Sequence, residues 1–457
     1  MKQWLQMQVA QDLRTVEFGD KRLVKRCIKL GKAMAKQSDG SIPSFSGKWK
    51  EAKAAYRFYA NPKVKRRAIL KAHQKATLER MRQESSEVLM IQDTSVLDLS
   101  RHHAMEGRGP IGKERHMQGL LMHNAFAVSI SGDVLGLLDQ RVWSRRQRSY
   151  PKTETGLQRR QRERESQRWQ RVLKTIRKQT QAAVIHVADR EADIYELLEE
   201  LVGHGERFVI RSSWNRRLEE TGQLISDALK QAPEVGFVEL ELPARGGKAK
   251  SKAYLRICRT SVTIRPPKTM PAGHPNITVG IVEAFEQGQE GLHWRLLTTE
   301  PIETLEDCLR VLQIYSRRWR IEEFHKGLKT GCQVEERRLE TAKRLGVFLI
   351  MASVITTFLL RIRHLAQQGE ELANDYFSLE QIAILRKKFP GLLGRQPAVA
   401  QALRAMAQLG GFLGRKGDGD PGWITLWRGW KKLIQLEEGL HMAKSILYPR
   451  PSIPTCG

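Results

Sequence analysis

The chain has 457 residues, enough for two or three domains with their own cores. Apolar residues make up 40%, ordinary for a globular protein, yet 78 Lys and Arg against 50 Asp and Glu leave a net charge of +28. That surplus points to a polyanionic partner, nucleic acid ahead of an acidic membrane surface, with a ribosomal or merely solubilising role as the bland alternative.

Residues 1–85 read as basic and helical. In KRLVKRCIKLGKAMAK, Leu23, Cys27, Leu30 and Met34 form one stripe at helical spacing, and Arg22, Lys25, Arg26, Lys29 and Lys32 cover the rest. WKEAKAAYRFYANP reads as a second helix stopped by Asn61-Pro62, and KVKRRAILKAHQKATLERM as a third. This module suits DNA binding and suits a solvated bundle equally well. EVLMIQD (87–93) is an apolar run ending at an acid, Asp93. LLMHNAFAVSISGDVLGLLDQRVW (120–143) reads as two strands around a Ser-Gly-Asp turn. Residues 144–171, dense in Arg, Gln and Glu, read as a loop leading into a charged helix. AAVIHVAD (182–189) is a second strand ending at an acid, Asp189, and READIYELLEEL a helix after it.

Strand-like runs dominate from about 205 to 300, and helical ones from 303 onward. VFLIMASVITTFLL (347–360) is too short and interrupted to span a bilayer comfortably and reads as a buried helix. After the break at GDGDPG, Trp423, Trp427, Trp430 and Ile434 fall on one helix face, either core or a protein–protein surface. The cysteines (Cys27, Cys258, Cys308, Cys332, Cys456) form no CxxC pair, which argues against a zinc knuckle, a redox motif or a disulfide framework. They and the absence of an apolar N-terminal signal core lead us to expect a reducing cytoplasm.

Three carboxylates stand out: Asp93 and Asp189 at strand ends and Glu322 within QIYSRRWRIEEFHKGLKTG. Acids gathered at one sheet edge can hold Mg²⁺, which takes oxygen ligands and substrate phosphate oxygens together. On one continuous helix, Tyr315, Arg318, Glu322 and Lys329 would fall within about 60° of one another, a strip for phosphate and metal. Glu323 points away from that strip, so its role is structural or solvent-facing. An ordinary i±4 salt bridge is the competing reading for Glu322.

The block IYSRRWRIEEFHKGLKTG resembles the Tyr-Arg-Glu-Lys signature of bacterial DDE transposases of the insertion-sequence-four family. IQDTS resembles the family's first-aspartate strand and VADREADIYELL its second-aspartate block. FGDKR, AAYRFYANP, HWRLLTTEP and LGGFLGRK…WITLWRGW extend the likeness over nearly the whole chain. It is weakest across 144–164, 215–290 and 362–400. The resemblance implies an α/β fold: an RNase H-like catalytic core with a mostly β insertion, flanked by N- and C-terminal helical domains. The expected boundaries are 1–65 for DNA binding, 66–360 for the core with its insertion at about 205–300, and 361–457 for dimerisation.

Residue by residue, the resemblance makes Asp93, Asp189 and Glu322 the catalytic, metal-binding triad for two Mg²⁺ ions, with Mn²⁺ able to substitute. It makes Tyr315, Arg318 and Lys329 phosphate contacts, and Trp294 a platform for a base flipped from the duplex. Arg211 becomes a DNA contact, and Arg22 and Arg26 basic positions of the end-recognition module. Trp319, near the same face, would assist; for both tryptophans the alternative is a core position. The implied partners are double-stranded DNA, as transposon ends and target, and a second copy of the chain when ends are paired. No membrane is implied; the expected setting is the bacterial cytoplasm, at the nucleoid. A catalytically silent DNA-binding regulator and a stand-alone metal nuclease remain as other readings at this point.

Overall fold

The computed structural model describes residues 2–84, 86–112, 116–145, 165–177, 183–242, 251–268, 270–286, 292–368, 371–415 and 418–448. Most of the stretch read as a charged loop, 146–164, lies outside the described residues. Contacts divide the chain into two compact units. One comprises residues 1–69, 326–337 and 347–457; the other comprises 70–325 and 338–346.

Helices α1 (Lys2–Leu13), α2 (Lys21–Lys36), α3 (Ile42–Ser46), α4 (Trp49–Ala60) and α5 (Arg66–Gln83) open the chain. Strands β1 (Val88–Asp98), β2 (Gly109–Pro110), β3 (Gln118–Ser129) and β4 (Val134–Trp143) follow. Next come α6 (Arg168–Arg177), β5 (Val184–Ala188), α7 (Tyr195–Gly203), β6 (Arg207–Arg211) and α8 (Ile225–Gln231). Four strands form the insertion: β7 (Glu234–Leu242), β8 (Ser251–Ile264), β9 (Ile277–Glu286) and β10 (His293–Thr298). The rest is helical: α9 (Leu305–Ser316), α10 (Trp319–Lys326), α11 (Ala342–Gln368), α12 (Leu379–Lys388), α13 (Val399–Leu409) and α14 (Trp423–Leu447).

The sheet belongs to the unit built around residues 70–325. Its strands run β2-β3-β1-β5-β6-β10-β9-β8-β7, with β4 also paired to β3. β5 lies parallel to β1 and to β6, and the other pairs are antiparallel. An antiparallel β4-β3-β1 set continued by two parallel strands is the RNase H-like core. The insertion does not form a separate layer: β10 adds to β6 and carries the same sheet onward. The β3–β4 turn sits at Ser131-Gly132-Asp133, where Gly132 takes φ +101°, a region L side chains rarely enter.

Side chains alternate across the sheet. Trp169, Val172, Leu173 and Ile176 of α6 pack with Leu197, Leu198 and Leu201 of α7 into one core cluster, with Met90, Ala125 and Ala127 from the strands. His123 also faces α6, its ring edge-on to Trp169 at 4.6 Å. The next residues on β3, Asn124 and Phe126, face the other way. There Phe126 meets Phe324 of α10 with ring centroids 4.9 Å apart. Phe324 is fully buried, so this contact fixes α10 against the sheet. A Thr304–Asp307 capping box starts α9 and sets where that helical segment begins.

In the unit made from both ends of the chain, α2 forms over the residues the periodicity marks. Cys27, Leu30 and Met34 are buried, and Asp20 caps the helix by accepting from the Arg22 backbone N–H. α11 carries the long apolar run, and Phe348, Leu349, Ile350, Val354, Ile355 and Phe358 are all buried in protein. Each such side chain contributes roughly 1.5–3 kcal/mol on burial. The tryptophan face of α14 is core: Trp430, Leu433 and Ile434 pack with Leu403 and Met406 of α13. The two helices touch backbone to backbone at Gly410 and Gly429, where a Cβ would overlap the Thr425 and Met406 carbonyl oxygens. The side chain of Trp423 lies outside the described residues.

Candidate active site

β1 and β5 pair in parallel with Gln92 opposite Ala188, the last pair of the ladder. One residue further on, Asp93 and Asp189 therefore stand at the same level on neighbouring strands, whose spacing is about 4.8 Å. Asp189 ends its strand as expected and caps the turn after it, accepting from the Glu191 backbone N–H at 3.0 Å. Asp93 does not end its strand. β1 runs on to Asp98, because β3 continues to pair with it after β5 has stopped. Asp93 is thus held mid-strand, with Oδ1 accepting from the Thr94 N–H at 2.7 Å. Burial and the charge of Asp189 push the Asp93 carboxyl up to about 7.

The signature stretch is not one helix. α9 ends at Ser316, a turn carries Arg317 and Arg318, and α10 restarts at Trp319. A continuous helical face from Tyr315 to Lys329 is therefore absent. The turn itself brings the first three members together. Arg318 lies over the Tyr315 ring, 5.8 Å from its centroid, and donates from Nη2 to Glu322 Oε1 at 2.5 Å. The i±4 bridge that competed for Glu322 is therefore made, and it is made inside the cluster of acids, since Arg318 also feels the charge of Asp93. Glu323 is buried and pairs with Arg320 at 2.9 Å, a structural role. Lys329 sits in a wide turn over Gly327–Gly331, in the other unit, with Glu335 3.8 Å away.

The aromatic candidates divide. Trp294 on β10 is half-buried and meets Tyr315 edge-on at 5.3 Å. Burial raises the Tyr315 hydroxyl above its ordinary range, while Arg318 and Arg211 pull it back. Arg211 closes the group by donating to the His293 carbonyl at 2.6 Å. Trp319 is 44% exposed at the start of α10, so the core alternative fails for it. In the other unit, Arg22 is open to solvent beside Asp20, and Arg26 is drawn to Glu51 at 2.5 Å.

Several neighbours of the acids escaped the sequence reading. Arg168 donates to Thr94 Oγ1 at 2.9 Å and to Glu191 Oε2 at 2.6 Å, bracing the residues that follow both aspartates. His325 places Nδ1 3.7 Å from Asp93 Oδ2. Its spacing from Glu322, i+3 on a helix, was the available signal. Arg168 offered none, because its partners lie 74 and 23 residues away.

Among the described residues, no three His, Cys, Asp or Glu side chains stand close enough to hold an ion as placed. The donor chemistry nonetheless fits a hard divalent cation. Two carboxylates stand at the same level on adjacent strands, and burial first, then repulsion from Asp189, drives Asp93 toward protonation. That is the repulsion a cation removes. Glu322, on the exposed side of α10, is held by Arg318 alone among the contacts described.

Three family models match the chain: transposase DNA-binding over residues 1–64, transposase DDE domain over 158–358, and transposase Tn5 dimerisation domain over 354–448. Asp189 and Glu322 fall within the second match, and Asp93 precedes it. A solved structure described as "Cryo-EM structure of piggyBac transposase synaptic complex with hairpin DNA" aligns over 85% of this chain and 73% of that one. Its identity is 12% and its TM-score 0.35, an overlap too slight to carry an argument.

Proposed function

The chain belongs to the DDE transposases, and on that premise we propose that it is a cut-and-paste enzyme acting at the inverted ends of its own element. It is a metal-dependent DNA transposase that binds DNA and dimerises. The finer reading assigns Asp93, Asp189 and Glu322 to the metal, taken as two Mg²⁺ with Mn²⁺ able to substitute. Tyr315, Arg318 and Lys329 go to the phosphates, Arg211 to DNA contact, and Trp294, aided by Trp319, to a flipped base. Arg22 and Arg26 go to end recognition. The setting is the bacterial cytoplasm, at the nucleoid.

The observation that carries this reading is the placing of Asp93 and Asp189 one residue beyond the last β1–β5 register pair, with Arg318, which bonds Glu322, feeling the charge of Asp93. Bound ions would help deprotonate the attacking oxygen and stabilise the leaving one. The residues then need only hold DNA so that different oxygens enter one place in turn. Water breaks a phosphodiester at the element's end and leaves a 3′-hydroxyl. That hydroxyl attacks the opposite strand, closing a hairpin and releasing flanking DNA. A second water opens the hairpin, and the regenerated 3′-hydroxyl attacks target DNA. A hairpin needs a sharp backbone turn, which unstacking a base relieves; an aromatic stack returns about 1–3 kcal/mol per base.

The test is a cleavage and strand-transfer assay with purified protein, Mg²⁺ and DNA bearing the ends that flank this gene, with Glu322→Ala alongside. Hairpin-ended fragments and insertions from the unmodified protein alone support the reading. End binding without cleavage by either protein, in Mg²⁺ or Mn²⁺, rejects it in favour of a silent DNA-binding regulator.

A further inference from the structure

We propose that His325 is a positioning residue whose Nδ1 hydrogen is fixed toward Asp93 by a buried polar chain that starts on β4. The inference rests on the reading of Asp93 as a metal ligand.

The chain has a direction. Gln140 on β4 donates from Nε2 to Asn124 Oδ1 at 3.0 Å. Asn124 on β3, directly opposite Asp93 in the ladder, places its Nδ2 2.9 Å from His325 Nε2. Gln140, Asn124 and His325 are all buried. An amide NH₂ only donates, so His325 Nε2 must accept and therefore carries a lone pair. A neutral imidazole has one N–H, which is then on Nδ1. Nδ1 stands 3.7 Å from Asp93 Oδ2. That is a charge–dipole contact, longer than a hydrogen bond. Turning both amides round would put the hydrogen on Nε2 and aim the Nδ1 lone pair at the carboxylate, which the charge of Asp93 opposes.

The consequence concerns Asp93. Its Oδ1 is already held by the Thr94 N–H, and His325 orients Oδ2. Both oxygens are constrained while each keeps a lone pair for another partner. A ligand carboxylate fixed in this way loses less freedom when it binds a cation, and outer partners of this kind typically affect metal affinity by 10–100-fold. α10 thus contributes twice, Glu322 directly and His325 through Asp93.

Two measurements on the full chain test this. The first is the tautomer of His325 from ¹⁵N-imidazole NMR at pH 8, assigned by loss of its signals in His325→Asn. Hydrogen on Nδ1 is expected; hydrogen on Nε2 overturns the inference, and this readout needs no loaded enzyme. The second is binding of Mn²⁺ alone, followed by paramagnetic resonance of the free ion. His325→Leu is expected to weaken it about tenfold, and His325→Asn, which sets an amide N–H near the Nδ1 position, to stay within about threefold. Unchanged binding in His325→Leu, beside an Asp93→Asn control that loses it, overturns the positioning role alone. Unchanged binding in Asp93→Asn overturns the ligand assignment and this inference with it. If His325→Leu fails to fold, the tautomer of the unmodified protein decides.

Discussion

Arg318 Nη2 stands 2.5 Å from Glu322 Oε1, on the turn that separates α9 from α10. The guanidinium also feels the charge of Asp93. Without metal, Arg318 supplies the positive charge that this group of acids lacks. Arg318→Ala should lower the melting temperature in EDTA, at a cost of about 1–3 kcal/mol for stranded partners. It should also increase the further rise that Mg²⁺ produces, because the ion then relieves more repulsion. Thermal scans with and without Mg²⁺ check this. An equal Mg²⁺ effect in both proteins would show that Arg318 and the ion act on separate groups.

Asp93 gives the site a pH dependence with a definite sign. Burial and Asp189 raise its carboxyl from 3.8 to about 7 in the fold. Between those values the folded protein holds a proton that the unfolded chain has lost. Metal-free stability from this group is therefore full below about pH 4 and falls as pH rises through about 7, by at most about 4 kcal/mol. Asp93→Asn, which cannot ionise, should be the more stable protein at pH 8 in EDTA, with the gap closing toward pH 4. Urea unfolding across that range measures it. The same proton competes with metal, so half-saturating Mn²⁺ should rise as pH drops below 7.

Asp193 and Arg216 form a buried pair beside the acids. Arg216 Nη1 is 2.5 Å from Asp193 Oδ1, while Oδ2 accepts from the Ser213 and Trp214 backbone N–H groups at 2.6 and 2.9 Å. One side chain thus ties the turn after β5 to the loop after β6. Asp193→Ala leaves a buried guanidinium unpaired and two part-buried backbone N–H groups without this acceptor, and should cost about 3–5 kcal/mol, mostly from the guanidinium. Asp193→Asn keeps an acceptor for the backbone and should cost less. Equal losses in urea unfolding would mean that charge, not the backbone latch, is what matters there.

Much of both units could be read before folding because the signals are local. The stripe Cys27–Leu30–Met34 has a helical period, the β3–β4 hairpin carries its own Ser-Gly-Asp turn, and β5 stops where Asp189 caps the next turn. The misreadings share a cause. The break between α9 and α10 falls at Arg317 and Arg318 with no Pro or Gly to announce it, so a continuous helix looked natural. The extension of β1 past Asp93 depends on β3, a partner 21 or more residues away. The grouping of N- and C-terminal helices in one unit is no misreading but a feature the sequence is silent on, because it rests on contacts between distant segments, which leave no local period. At the site, acids were recognisable by type, while Arg168 and Asn124 became functional candidates only through their neighbours.

The dimerisation domain makes the last prediction. The sequence left the tryptophan face of α14 as either core or interface, and Trp430, at 2% exposure among α13 side chains, is core. The apolar surface left open is at the other end of the same helix, where Met442 and Ile446 are 65% and 70% exposed. At i and i+4 they share one face. Trp430→Ala should cost about 3–5 kcal/mol and lose all activities together, because it removes core volume. Met442→Asp with Ile446→Asp removes no buried contact and should leave the melting temperature and single-end binding intact. It should weaken paired-end complexes on a native gel, as an exposed apolar face implies a partner. If pairing survives the double aspartate but fails on truncation before Gly410, the contact lies elsewhere in the α13–α14 layer. If it survives both, dimerisation does not depend on this helix.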